Sequence, residues 1–119
     1  MDFDHIVEMF AGFGRVVRRM FSGAGIFADG LMIGIVSKGV VYLKADDTTR
    51  LDFEREGLGP FRYRTRDGER ALMSYWRMPE RLYDDPEELS RWAQAALACA
   101  RRKTVSAPRR PARKPKNKK

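Results

Sequence analysis

The sequence predicts an α+β fold: one antiparallel sheet of five or six strands, with N-terminal, middle and C-terminal helices, in a two-layer sandwich. Three observations carry this. Short runs rich in branched residues follow one another across Asp-Gly and Lys-Gly turns, the pattern of hairpins and not of parallel crossover units. Apolar residues at helical spacing occur only near the start, around residue 51 and after residue 85. A chain of 119 residues, 43% hydrophobic and 11% aromatic, suits one compact domain that needs neither metal nor disulfide support.

Phe3, Ile6, Val7 and Phe10 share one helical stripe, with Asp2 or Asp4 to cap it and Gly12 and Gly14 to stop it. Residues 15 to 21 read as a strand, which Ser22-Gly23-Ala24-Gly25 then breaks, the glycines allowing a sharp or bulged bend. Ile26-Phe27 and residues 31 to 36 flank a turn at Asp29-Gly30, and residues 40 to 44 follow the turn at Ser37-Lys38-Gly39. Asp46-Asp47-Thr48-Thr49 can cap a short helix through Leu51 and Phe53 that ends at Gly57. Pro60 opens a strand over residues 61 to 65, Asp67-Gly68 turns it, and residues 70 to 78 return until Pro79. Asp85-Pro86-Glu87-Glu88 is a helix start with a capping-box pattern. Leu89, Trp92, Ala93, Ala96, Leu97 and Ala100 then recur every three or four residues.

The formal net charge of +8 divides unevenly. Arg101, Arg102, Lys103, Arg109, Arg110, Arg113, Lys114, Lys116, Lys118 and Lys119 fall in the last nineteen residues, where no acidic residue occurs. The preceding hundred residues hold every Asp and Glu and are slightly acidic. The expected organisation is a domain over residues 1–100 and a disordered, proline-rich basic tail over residues 101–119. Such a tail is attracted to polyanions and would bind nucleic acid without reading sequence. No apolar run is long enough for a membrane span or a leader peptide, and the single cysteine cannot form an internal disulfide. A cytoplasmic protein is expected.

His5 and Cys99 are the sole residues of their types, so the sequence offers neither a zinc set nor a histidine-activated nucleophile. Gly12, Gly14, Gly23 and Gly25 match no dinucleotide or phosphate-loop fingerprint. Carboxylates such as Asp46 and Asp47 sit where capping explains them. The expectation is a protein without catalytic residues and without a cofactor.

Binding is the better prospect. In a strand Val17 and Arg19 share one face, Arg18 and Met20 the other, so one arginine should point among apolar neighbours. It then needs an internal acid such as Asp46 or Glu69, or an incoming anion or partner. Leu31, Ile33 and Ile35 alternate with Met32, Gly34 and Val36, so both strand faces are apolar and short helices cannot cover both. The uncovered face is a candidate for a protein partner or a homodimer. Phe61-Arg62-Tyr63-Arg64 and Tyr75-Trp76-Arg77 interleave aromatics with arginines as base-stacking sheets do. Alternation alone also produces that pattern in an ordinary half-buried strand, the reading preferred for this acidic body.

Arg18-Arg19-Met20-Phe21-Ser22-Gly23-Ala24-Gly25-Ile26-Phe27, Asp29-Gly30-Leu31-Met32, Val41-Tyr42-Leu43-Lys44-Ala45-Asp46-Asp47 and Met73-Ser74-Tyr75-Trp76-Arg77-Met78-Pro79 closely resemble the N-terminal domain of the TfoX/Sxy family. Asp84-Asp85-Pro86-Glu87 with Trp92-Ala93 resembles its closing helix. The likeness runs in order over about residues 3 to 100. It implies a small α+β domain in a family tied to bacterial competence, whose full-length members act as transcription coregulators with the cyclic-AMP receptor protein. It names no catalytic residue. Arg18, Arg19, Met20, Phe21, Gly23 and Gly25 match its signature and are the candidate interaction or anion-contacting set. The implied partner is a protein, such as a component of the transcription machinery, with nucleic acid reachable through the tail.

Overall fold

The computed structural model describes the backbone of residues 3–11, 15–20 and 23–106. The expected stop at Gly12 and Gly14, the candidate cap Asp2, the Phe21–Ser22 connection and residues 107–119 lie outside them. The order is α1 (Phe3–Ala11), β1 (Val16–Met20), β2 (Gly23–Ala28), β3 (Leu31–Ser37), β4 (Val40–Lys44), α2 (Arg50–Arg55), β5 (Pro60–Thr65) and β6 (Gly68–Arg77). A 3-10 turn (Glu80–Asp84) and α3 (Pro86–Ser106) complete it. The six strands form one antiparallel sheet in the order β1-β2-β3-β4-β6-β5. The expected α+β architecture is present, with β1 and β5 as its edges.

Opposed residues of an antiparallel pair share a face. The register therefore sets Ala24 beside Val36, Ile26 beside Gly34, Val36 beside Val41, and Leu43 beside Trp76. These residues are buried with Ile6 and Phe10 of α1, Phe53 of α2, and Leu89, Ala93, Ala96 and Ala100 of α3. α3 crosses β3 and β4, α1 lies on β1, and α2 lies on β6. The buried core thus lies on one side of the sheet. Phe27, Met32, Ile35 and Tyr42, on the opposite side, belong to no part of it.

Three expectations are corrected. Gly23, Ala24 and Gly25 do not break the chain; they belong to β2 and pair regularly with Met20, Arg19 and Arg18. The irregularity falls instead between Ile26 and Phe27, where β3 holds one extra residue. Glycine at position 23 answers a close approach: a Cβ there would stand 2.3 Å from the Val36 carbonyl oxygen. Nor does a disordered tail begin at residue 101, because α3 runs to Ser106. Arg101 and Arg102 favour a helix C-terminus, where the dipole is negative, and the first proline after Pro86 is Pro108. Asp85 caps as expected, its Oδ1 accepting from the Glu88 N–H at 3.1 Å. Glu88 does not close the box; its carboxylate accepts from Arg81 and the Trp92 indole.

Gly23→Ala should cost about 1–3 kcal/mol in urea unfolding, because the new methyl meets backbone that cannot yield. Gly59→Ala should stay within about 1 kcal/mol of the parent, since no atom lies within 4 Å of its added Cβ.

Candidate functional site

The sheet face away from the helices is the most distinctive surface. By register it carries Val16 and Arg18 of β1, Phe27, Met32, Ile35, Tyr42 and Lys44, and then Arg77. It continues through Phe61 and Tyr63 of β5 with their partners Leu72 and Arg70. The Tyr42 ring meets Phe61 edge-on at 4.9 Å, and Phe61 stacks near-parallel on Tyr63 at 6.1 Å. Those contacts fix the two β5 aromatics on this side. Tyr63 is 43% exposed and Val16 55%.

Its cations are Arg18, Lys44, Arg70 and Arg77. The strands contain one acidic residue, Glu69, and it pairs with Arg64 on the reverse side. Arg18 stands over the Phe27 ring at 5.4 Å, and the Lys44 ammonium stands 4.7 Å from the centre of the Tyr75 ring. Tyr75 is buried beneath that lysine and donates its hydroxyl to the Met32 carbonyl at 3.4 Å. Burial pushes its pKa up to about 12, so it remains a donor at neutral pH. The face combines flat aromatic surface with positive charge.

The signature arginines lie on opposite sides of β1, as alternation predicts. Arg18 lies opposite Gly25 and Arg19 opposite Ala24, so they do not converge on one anion. Arg18 does lie over an apolar neighbour, the Phe27 ring, but both arginines are exposed, because β1 is an edge strand. The Met20 side chain and Phe21 lie outside the described residues. Gly23 and Gly25 are β2 residues paired with Met20 and Arg18, and Gly23 lies close against the Val36 carbonyl of β3.

Asp46 anchors the end of α3. It accepts from the Thr48 and Thr49 amides at 3.0 and 2.9 Å, from the Thr49 hydroxyl, and from Arg102. Those bonds, the Thr49 amide first and Arg102 next, hold its carboxyl well below the usual range. Arg101 pairs with Asp29 in the β2–β3 turn. Two residues expected to be free tail cations are therefore bound to the body. Cys99 is buried beside them, 3.4 Å from the Thr49 hydroxyl and 3.3 Å from Arg102, and burial pushes its thiol up. A second anchor joins α2 to α3: Arg81 bridges Glu56 and Glu88.

The outer half of the β5–β6 hairpin departs from the half-buried strand expected there. β4 pairs with β6 only over Tyr75–Arg77, so the hairpin runs on past the body. Arg62, Tyr63, Arg64, Arg66, Asp67, Glu69, Arg70 and Ala71 are all exposed, which overturns the half-buried reading of this strand. The available signal was the poverty of Gly68-Glu69-Arg70-Ala71, which offers neither face a large apolar side chain. Among the described residues no three His, Cys, Asp or Glu side chains gather to hold a metal, and no helix is long and apolar enough to cross a membrane.

Asp46 gives the anchor a pH dependence of known sign. Its folded-state pKa lies below the unfolded value of about 3.9, so its stabilisation is full above that value and is lost as pH falls through the folded pKa. Asp46→Asn should therefore lower Tm at neutral pH and show a shallower further decline below about pH 4 than the parent, read by thermal unfolding across a pH series.

The sequence model of the TfoX N-terminal domain matches residues 8–100. Comparison with curated proteins gives no match. The matched stretch takes in the whole sheet, α2 and α3 up to the anchor, and on that span the chain belongs to the TfoX N-terminal-domain family.

Proposed function

We propose that this chain is a noncatalytic regulatory protein that acts by docking its helix-free sheet face on another protein, in transcription control linked to competence genes. Family membership supports a regulatory, competence-related role at the coarser level. The observation that carries the finer reading is the sheet face itself. It is apolar and aromatic, it lies outside the buried core, and by register it carries four cations and none of the strands' acidic residues.

That charge also selects among partners. A second copy docked by a twofold axis would bring one all-cationic set, Arg18, Lys44, Arg70 and Arg77, into an interface with another and offer no acid to either, and like charges brought together at an interface are costly. A homodimer through this face is disfavoured on that ground. A different protein presenting carboxylates around an apolar patch fits it. Tyr42, Phe61 and Tyr63 are anchors of the type that dominates protein interfaces.

The expected outcome is specific. Ile35→Glu with Tyr63→Glu should leave thermal unfolding within a few degrees of the parent. It should weaken binding to a purified transcription-factor partner at least tenfold and abolish the effect on competence-gene transcription. Glu87→Ala, on the exposed start of α3, should change neither. Unaltered binding by the face variant would defeat the reading. The partner-binding measurement uses isothermal titration with the full chain, the reporter measurement a competence-gene promoter.

A further inference from the structure

The cations of the folded body are not evenly spread. Pro60–Arg77 carries Arg62, Arg64, Arg66, Arg70 and Arg77 against Asp67 and Glu69. The rest of residues 1–100 holds nine basic residues against fourteen acidic ones. Among the described residues, positive charge is thus concentrated on a hairpin that runs on past the rest of an acidic body. The projection is a two-stranded ribbon. Its pairs run from Phe61–Leu72 to Thr65–Gly68, about 17 Å of strand.

The tip is held in shape. The Thr65 hydroxyl donates to the Gly68 carbonyl at 2.9 Å and accepts from the Asp67 amide at 3.2 Å. Gly68 adopts φ +121°, which side-chain-bearing residues rarely reach. Arg66 is thereby carried at the end of a formed turn. Behind it Arg62 and Arg64 leave one side of the ribbon, while Phe61 and Tyr63 face the other. The arginine side is exposed along its length.

We infer that this ribbon is a duplex DNA contact element, with Arg62, Arg64 and Arg66 reaching phosphates and base edges from within the major groove. Charge complementarity selects the occupant, and shape supports it. Two strands about 4.8 Å apart, with side chains standing off both faces, match a groove about 12 Å wide that admits a two-stranded ribbon. All the ribbon cations are arginines, whose planar fork pairs with phosphate and with guanine in two-point fashion. The site is separate from the docking face, because Arg62 and Arg64 point away from it. DNA contact by the ribbon therefore does not rest on the protein-contact reading. It also differs in kind from attraction to the tail, which needs no defined geometry.

The test uses the full chain, so that the tail is constant. Binding to a fluorescein-labelled 20-bp duplex is followed by anisotropy across a salt gradient. Arg62→Ala with Arg64→Ala and Arg66→Ala should weaken binding at least tenfold at low salt. It should reduce the slope of log K against log salt by about 2 to 3, near 0.9 for each phosphate left without its arginine. The triple lysine variant should recover the slope but not the full affinity. Arg55→Ala with Arg91→Ala, which removes exposed arginines of α2 and α3, should leave both unchanged. Thermal unfolding of each variant establishes that the ribbon change has not unfolded the domain. An unchanged slope in the alanine variant overturns the inference. So does tighter binding of a single-stranded 20-mer or of poly-glutamate that the same variant abolishes, since either would make the ribbon a reader of strands or of acidic protein.

Discussion

One-sided coverage of the sheet is the constraint from which the other features follow. α3 can lie across β3 and β4 because its inward positions are largely alanine: Ala93, Ala96 and Ala100 are all buried there. Small side chains bring the helix axis near the sheet, and Leu89 fills the remaining volume. α1 and α2 take the flanks, with Phe10 and Phe53 as their main contributions to the core. The buried surface of all three helices is committed to that side. The far face must then stabilise itself, and it does so laterally, through Tyr75 under Lys44, Phe27 under Arg18, and Tyr42 against Phe61. Such contacts shield apolar surface only partly, which leaves it half-buried and open to a partner.

β6 serves two ends at once. Trp76 points into the core beside Leu43, yet Leu72 shares the opposite face with Phe61. Strict alternation would put residues four apart on the same side, so the strand must change sides between them. It does so at the irregularity opposite Pro60 and Phe61, where three residues of β6 intervene between the partners of adjacent β5 residues. The Trp76 indole donates to the Met73 carbonyl at 2.8 Å and closes that loop of backbone. A proline at the start of β5 fits there because it has no amide to donate. The inner part of β6 is thus part of the domain, and the outer part is an arm.

What the sequence disclosed and what it hid divide along the range of the interactions. The α-helices and strands were legible, because apolar spacing and Asp-Gly turns are local signals: Leu89 to Ala100 and the turn before Leu31 are examples. Strand pairing order was not. That β1 is an edge, and hence that Arg18 and Arg19 are exposed, depends on where a non-adjacent strand docks, and β6 rather than β5 pairs with β4. The end of α3 was hidden for a different reason. A run of arginines reads as a tail by composition, but Arg101 and Arg102 find Asp29 and Asp46, more than fifty residues away in sequence. The helix-free face was legible in outline, since strands apolar on both sides cannot be covered by three short helices. Its charge was not, because the sign depends on which residues the register sends to that side.

Charge partition then links the two surfaces to the anchor. Asp29 and Asp46 belong to the acidic body, and by holding Arg101 and Arg102 they pin the root of the remaining basic segment to the end of α3. Without that pairing the first cations after the domain would be drawn toward the same acids in many arrangements, each neutralising charge at a different place. With it, two acids near the helix end are already occupied. The ribbon's arginines are set apart by position: they extend past β4, away from the acidic turns and helix starts. On the readings proposed above, the ribbon's arginine side and the helix-free face serve a polyanion and a protein separately, because Arg62 and Arg64 lie on the opposite side of β5 from Phe61 and Tyr63. Such a molecule is suited to bridging, since its two kinds of contact occupy different residues.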